Sequence, residues 1–281
     1  MEVGQLDNKK IGCIIQARMS STRLPGKVLL PIPFPDGKPL LGLILDNLAD
    51  VFKEEQIIVA SSSDKENDVI QEYCEKRNIK CYRGSEHNVL SRFVALQNEF
   101  NFEHIFRFTA DNPIIDIKIL LEFLKWHIKE SNDYSTSMGL PLGMNFEVFK
   151  GVALLESVKH ADSDFDKEHV TPALKRENCF KKGYFKTEFD YTSKIRLTVD
   201  TVEDILLIST YRKLSLITNL SGMNLVNYTL STYPWLNEIN KQLIQKNSCS
   251  EEKDEIQNAI SILRQLEYNK SAFYLSEKLS S

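Results

Sequence analysis

A mainly parallel β-sheet flanked by helices, the α/β class, is what this sequence predicts, and two observations carry the prediction. Over the first 130 residues short apolar runs alternate with segments of helical period. Strands separated by helices of that length pair through crossovers, and therefore in parallel. From about residue 132 the alternation weakens, and the chain ends in helical patterns alone, which marks a C-terminal helical appendage.

Residues 11–17 (IGCIIQA) read as a buried strand that opens into a loop rich in Ser, Pro and Gly. Leu40, Leu43, Ile44, Leu48 and Val51 recur at helical spacing and predict a helix over 39–52. A second strand follows at 56–60 (QIIVA), then a helix at 66–77 with Val69, Ile70 and Tyr73 on one face. A short strand at 81–83, a helix at 91–100, a buried strand at 104–109 (HIFRFT) and a strongly apolar helix at 117–130 complete this half. Further on, 134–138 and 146–149 read as strands and 152–160 as a helix. Residues 167–176 form a helix interrupted by Pro172, or two short ones. Strands at 184–189 and 194–199 (KIRLTV) precede a helix at 202–214. Two more helical segments lie near 235–246 and 251–267, the latter with Ile256, Ile260, Leu263 and Leu266 at amphipathic spacing. The clearest linker is 247–251 (NSCSE). A domain of residues 10–218 followed by a helical appendage of 219–281 is the organisation this implies.

With 42% hydrophobic and 26% charged residues the chain is of ordinary globular composition. A net charge of −4 leaves no broad basic surface, so nucleic acid is not an expected partner and any phosphate site must be a local cluster of cations. The five cysteines (Cys13, Cys74, Cys81, Cys179 and Cys249) are odd in number and contain no CxxC, which speaks against a disulfide framework and a zinc site. Residues 1–10 are polar, and no segment approaches the roughly 18 apolar residues of a membrane span. A cytoplasmic protein without a membrane partner is expected.

In parallel sheets ligands bind beyond the carboxyl ends of the strands, so the residues just after each apolar run are the ones to inspect. Gln16-Ala-Arg-Met-Ser-Ser-Thr-Arg-Leu-Pro-Gly-Lys27 follows the first strand. It packs Arg18, Arg23 and Lys27 among Ser20, Ser21, Thr22 and Gly26. Small residues let backbone N–H groups approach an anion, and the cations supply charge-assisted bonds to phosphate oxygens. The loop is neither GxxxxGK[ST] nor GxGxxG, so it is not a P-loop and not a dinucleotide fingerprint. A solvated basic loop closed by a Pro-Gly turn is the structural alternative. Arg107-Phe-Thr-Ala-Asp-Asn-Pro113 sets Asp111 directly after a buried strand, where it suits a metal ligand; a helix cap is its other possible role, one Asp116 fills equally well. Arg196-Leu-Thr-Val-Asp200-Thr-Val-Glu-Asp204 again ends a strand in an acid. There Thr201 and Asp204 have the spacing of a capping box, which leaves Asp200 for a second metal ligand or for the turn itself.

QARMSSTRLPGKVL, RFTADNP, EHVTP and LTVDTVED, in that order, resemble the cytidylyltransferase family, which includes acylneuraminate and 3-deoxy-octulosonate cytidylyltransferases. Within it the likeness is to the branch of the spore-coat polysaccharide biosynthesis protein F, and it covers roughly residues 10–215. The resemblance implies a Rossmann-like, nucleotide-diphospho-sugar transferase fold. It implies that Gln16, Ala17 and Arg18 hold the cytosine and phosphates of CTP, that Arg23 and Lys27 bind the triphosphate, and that Asp111 and Asp200 hold Mg²⁺, with Ser20 also in the nucleotide-binding set. Ser62, Ser63 and Arg107 join the nucleotide-binding set. Gly84 to Asn88 (GSEHN) resembles the family's Gly-Ser-acid-x-acid segment, with Asn88 where an Asp is common. Asn145, Glu147, Glu168 and His169 are the acceptor-site candidates, because corresponding segments in this branch close over the second substrate. A homodimer is a further family expectation.

The activity so implied is attack of an acceptor oxygen on the α-phosphorus of CTP, with pyrophosphate leaving and with Arg18, Lys27 and Asp111 as the catalytic set. The acceptor is a sugar acid of surface-polysaccharide or glycoconjugate biosynthesis, with a phosphonate or a phosphorylated polyol as alternatives. A nucleotide-sugar-dependent glycosyltransferase would share the fold and would need a DxD-like acid pair; Asp162-Ser-Asp164 has that form but follows no clear strand. A non-catalytic nucleotide-binding protein is the remaining alternative.

Overall fold

The computed structural model describes residues 10–192, 194–243 and 252–280. The strands, in chain order, are β1 (Ile11–Gln16), β2 (Pro31–Ile32), β3 (Lys38–Pro39), β4 (Ile57–Ser62), β5 (Lys80–Gly84), β6 (His104–Thr109), β7 (Tyr134–Met138), β8 (Glu147–Lys150) and β9 (Lys182–Lys186). The helices are α1 (Leu40–Ala49), α2 (Asp68–Glu75), α3 (Val89–Phe100), α4 (Ile117–Glu130), α5 (Gly151–Ser157), α6 (Asp164–His169), α7 (Pro172–Arg176), α8 (Val202–Thr218), α9 (Gly222–Thr232), α10 (Glu252–Gln265) and α11 (Asn269–Ser280).

Seven strands form one sheet in the order β5-β4-β1-β6-β8-β7-β9. β5, β4, β1 and β6 are parallel neighbours, as are β7 and β9; β8 alone runs against both its neighbours. Alternation of side chains explains why helices are needed on both faces. On β1, Cys13 and Ile15 enter one core cluster and Ile14 the other; β4 divides in the same way between Ile57 and Val59 and Ile58 and Ala60. The first cluster is covered by α1, α2, α4, α8 and α9, and the second by α3, α5 and α7.

Several expectations are corrected. The segment 194–199 is not a ladder strand: it runs extended and pairs through one bridge, Leu142 with Arg196. Its groups bond elsewhere, the Val199 N–H donating to the Asp111 carbonyl at 2.8 Å, which brings two distant chain segments to one place. Only a 3-10 turn, Pro234–Glu238, occupies the described part of the helix expected at 235–246. α9 and α11 were not legible as helices, and the linker 247–251 with Cys249 lies outside the described residues.

The chain divides into two compact units, Met1–Lys241 and Gln242–Ser281, against a boundary of 218/219 read from sequence. The first therefore includes α9, whose Met223, Leu225 and Val226 join the main core. In the second, α10 and α11 pack on each other as a hairpin. Among the described residues no helix is long and apolar enough to cross a membrane. The cysteines described, Cys13, Cys74, Cys81 and Cys179, are all free thiols.

Candidate active site

Gln16, Ser62, Gly84 and Thr109 end the four parallel strands β1, β4, β5 and β6, and the strand register aligns these ends along one sheet edge. The loops that leave this edge carry the cationic segment, the serines, the GSEHN turn and Asp111.

The cationic loop is folded around Met19. The Met19 N–H donates to Asn67 Oδ1 at 2.8 Å, and the Gly26 N–H donates to the Met19 carbonyl at 2.9 Å. Gly26 sits at φ 72°, a left-handed conformation that costs L side chains energy, and so turns the chain into the short 3-10 turn Lys27–Leu29. Lys27 is thereby sent inward and is only 8% exposed. Its ammonium has three donors and uses all of them: 2.9 Å to Asp111 Oδ2, 2.8 Å to Asp200 Oδ1 and 2.8 Å to the Val199 carbonyl. Residues 27, 111 and 200, far apart in the chain, thus meet at one point.

Asp200 receives more than Lys27. Its Oδ2 accepts from Arg196 at 2.6 Å and pairs with Arg23 at 2.9 Å. Burial alone would raise this carboxyl; Lys27 above all, with Arg196 and Arg23, outweighs burial and holds it below the ordinary carboxylate range. Asp204 fixes Arg196 in turn. It takes two bonds from the guanidinium at 3.0 Å and accepts from the backbone N–H groups of Asp200 and Thr201. Thr201 and Asp204 form the capping box of α8, so the sequence reading of that pair holds. Asp116 caps α4 by accepting from Ile119 N–H at 3.0 Å, and Asp111 is thereby left to Lys27.

Arg18 reaches across the mouth of the site, 3.5 Å from Glu86 Oε1 and 3.3 Å from Glu168 Oε1. Ser20 Oγ donates to Glu86 at 2.5 Å. Burial raises the Glu86 carboxyl, but the Ser20 hydroxyl and the Arg18 charge outweigh it and hold the group low. The turn bearing Glu86 is held by buried Arg92, which donates to the carbonyls of Ala60, Ser85 and Glu86. Asn88 accepts from Ser91 N–H at 2.9 Å and caps α3, so the amide keeps the capping function of the more common acid. Ala17 is buried, with its N–H on the Ala60 carbonyl. Ser62 is also buried and bonds Asn67 and Asp64, whereas Ser63 is exposed and donates through its N–H to Gly84.

A second polar group lies on the α3, α5 and α7 face. Arg107 donates to Gln16 Oε1 at 3.0 Å and to Glu147 Oε2 at 2.8 Å. Glu147 also accepts from Tyr134 at 2.7 Å and pairs with Lys175 at 2.5 Å; Thr171 Oγ1 lies 3.4 Å from both its oxygens. Burial would raise this carboxyl; Arg107, Lys175 and Tyr134 pull it down to about 2. Glu147 is therefore saturated by the protein, and its effect is to hold Arg107 and Lys175. His169 is half-buried; burial lowers its pKa, Glu168 opposes this, and Arg107, Lys175 and Arg18 lower it further, which keeps the ring neutral near pH 7. Asn145 is exposed.

Between His169 and Thr171 the chain makes a tight γ-turn. Val170 lies at φ 68°, ψ −49°, and the Thr171 N–H donates to the His169 carbonyl at 2.7 Å. A β-branched residue in this region costs on the order of 1–3 kcal/mol. Burial of the Val170 side chain in the second core cluster offsets it. The turn sets Thr171 beside Glu147, while the His169 ring packs on Phe165 with centroids 4.6 Å apart.

Sequence reading placed Glu86 only as the first acid of the GSEHN segment and missed Lys175, Asn240 and the bracing role of Arg196. Arg196 and Asp204 flank Asp200 at intervals of four, a signal that was present. Asn240 offered none: its amide donates to Asp204 Oδ1 at 2.8 Å and to the Arg196 carbonyl at 3.0 Å, from a segment assigned to the appendage. Asp162 precedes the N-cap Ser163 and Asp164 opens α6, where it is fully exposed and pairs with Lys167; neither lies at a strand end.

Asp111, Asp200 and the Val199 carbonyl offer hard oxygen donors converging on one point, a set that fits Mg²⁺ or Mn²⁺. Among the described residues no group of three or more His, Cys, Asp or Glu side chains could hold a metal, so a cation here would complete its shell with water and phosphate oxygens.

A family model described as cytidylyltransferase matches residues 12–276. An uncharacterized protein of Methanocaldococcus jannaschii is 34% identical over 239 residues, covering 84% of this chain and 97% of the relative. The spore coat polysaccharide biosynthesis protein SpsF of Bacillus subtilis is 35% identical over 198 residues, covering 68% of this chain and 81% of the relative. Among solved structures, a cytidylyltransferase from Leptospira borgpetersenii superposes with a TM-score of 0.75 at 27% identity, covering 87% of this chain and 100% of that one.

Proposed function

The chain belongs to the cytidylyltransferase family of CTP-dependent nucleotidyltransferases, and on that basis we propose that it transfers CMP from CTP to a small anionic sugar acid and releases pyrophosphate. The reaction serves surface-polysaccharide or glycoconjugate biosynthesis in the cytoplasm. One observation carries the residue assignment: Lys27, Asp111 and Asp200 meet within 2.9 Å at the edge from which the cationic loop leaves.

In this reading Gln16, Ala17 and Arg18 hold the cytosine and phosphates, Ser63 lines the nucleotide pocket, buried Ser62 acts through Asn67 and Asp64, and Ser20, Arg23 and Lys27 hold the triphosphate. Asp111 and Asp200 hold a divalent cation, Mg²⁺ in the cell, which when bound supplies charge neutralisation to the phosphates. Arg18 and Lys27 stabilise the negative charge that grows on the phosphoryl oxygens as the acceptor oxygen attacks and pyrophosphate departs. No covalent intermediate on the protein is needed. The acceptor lies against Asn145, Glu168 and His169, with Glu147 holding Arg107 and Lys175 toward its negative charge. Neutral His169 is placed to take the proton of the attacking hydroxyl. The catalytic unit extends past residue 218 to Asn240, because that amide braces Asp204.

The test is a pyrophosphate-release screen of the four nucleoside triphosphates against sugar acids, phosphonates and phosphorylated polyols, with Mg²⁺ and with Mn²⁺. Release that requires CTP and a sugar acid supports the reading. A preference for a phosphonate or a polyol phosphate keeps the reaction and replaces the acceptor. Release of a nucleoside diphosphate from a nucleotide sugar would assign a glycosyltransferase. CTP binding without turnover on any acceptor would leave a nucleotide-binding protein.

A further inference from the structure

We infer that the Lys27 ammonium fills the divalent-cation position in the free protein, so that the site takes its metal together with the nucleotide and not as a free ion. The inference rests on the reading of Asp111 and Asp200 as the metal-holding pair.

Lys27 occupies the point at which the two carboxylates converge. Asp111 Oδ2, Asp200 Oδ1 and the Val199 carbonyl all lie 2.8–2.9 Å from Lys27 Nζ. An ion bridging the two carboxylates would need to sit about 2.0–2.6 Å from their oxygens, inside the volume this ammonium occupies. A divalent ion and an ammonium cannot share that volume, and at such separations in a poorly solvated pocket their repulsion is strong. Lys27 is the more firmly held because its three donors are all satisfied and its side chain is only 10% exposed.

Local charge argues the same way. Lys27, Arg23 and Arg196 face Asp111, Asp200 and Asp204, three cations against three carboxylates. The free site therefore has little net field with which to collect a cation. A triphosphate changes the balance, because it offers Lys27 and Arg23 a second set of anionic oxygens. The Lys27 stem is long and rotatable, and the Arg23 side chain is 35% exposed, so both can turn from the carboxylates to phosphate. The carboxylates are then free for the metal that arrives on the same phosphates. Arg196 stays behind, held by Asp204 and, through its carbonyl, by Asn240.

The test reads Mn²⁺ binding without turnover, by the electron paramagnetic resonance signal of the free ion at pH 7.5. Wild-type protein should bind Mn²⁺ alone weakly. Lys27→Met keeps the stem of the side chain and removes its charged end, and should raise affinity for Mn²⁺ alone by about tenfold or more. Lys27→Gln should do the same. Equal or weaker Mn²⁺ binding by folded Lys27 variants would overturn the inference. If neither variant folds, the wild type decides: tight binding of Mn²⁺ in the absence of nucleotide would overturn it, and weak binding that strengthens with CTP beyond the Mn²⁺–CTP complex formed without protein supports it. Failure here is separable from failure of the functional reading. Turnover of CTP with no gain of Mn²⁺ binding in the variants sinks only this inference. A gain of Mn²⁺ binding in the variants with no turnover by the wild type on any acceptor sinks only the cytidylyl-transfer reading.

Discussion

Replacing Glu147 by Gln keeps the side chain's shape and removes its charge, and the loss can be sized from its surroundings. The carboxyl titrates at about 2 in the folded chain against an ordinary value of 4.5. A difference of that size corresponds to about 3 kcal/mol of stability at neutral pH. Little discount for solvent applies, since the side chain is 14% exposed. The figure agrees in order with the roughly 3–5 kcal/mol seen when one partner of a buried ion pair is removed. Because the folded-state pKa is depressed, the contribution is complete above pH 4.5 and is lost as pH falls toward 2. Below 4.5 each pH step removes about 1.4 kcal/mol of it. The assay is urea unfolding of wild type and Glu147→Gln across this range, followed by tryptophan fluorescence. Trp126 is a suitable reporter, packed against Phe123 and Phe185 in the core. The variant should be less stable by about 3 kcal/mol at pH 7, and the gap should narrow by about 1.4 kcal/mol by pH 3.5. A gap that does not change with pH, or a loss below about 0.5 kcal/mol, would refute the claim that ionised Glu147 anchors Arg107 and Lys175.

Gly26→Ala forces a Cβ into a left-handed position and should cost about 1–2 kcal/mol in thermal unfolding, with kcat falling because Lys27 is displaced; wild-type kcat would separate the turn from the site. Val170→Gly relieves the γ-turn and loses a buried side chain, so its stability should stay within about 1 kcal/mol of wild type while KM for the acceptor rises about tenfold and KM for CTP holds. Equal effects on both KM values would remove the turn from acceptor positioning. Asn240→Ala takes one donor from buried Asp204 and should cost about 1–3 kcal/mol, with a lower kcat and little change in either KM. Wild-type stability and kcat would detach this segment from the site.

The parallel half of the sheet was legible because β1 and β4 open as apolar runs and β6 carries Ile105, Phe106 and Phe108, each bounded by polar loops, a pattern that burial of the sheet produces. The convergence of Lys27 with two acids was legible as motifs at strand ends, although spacing alone said nothing of distances. Residues 194–199 read as a strand because Ile195, Leu197 and Val199 alternate, yet alternation reports burial of one face and not the presence of a ladder partner. α9 was hidden by its composition: Asn224, Asn227, Thr229 and Thr232 are weak helix formers, and packing of Met223, Leu225 and Val226 overrides them. Glu147 was read as a residue that meets substrate. Its partners Tyr134, Thr171 and Lys175 come from three other elements, and only the fold brings them together.

The most direct test of the account is product analysis by mass spectrometry of wild type and Asp200→Asn incubated with CTP, Mg²⁺ and a panel of sugar acids. Wild type should form a CMP–acceptor adduct in step with pyrophosphate, and Asp200→Asn should form none while retaining a cooperative unfolding transition. An adduct formed by the variant at the wild-type rate would contradict the assignment of the Lys27–Asp111–Asp200 cluster as the reacting centre.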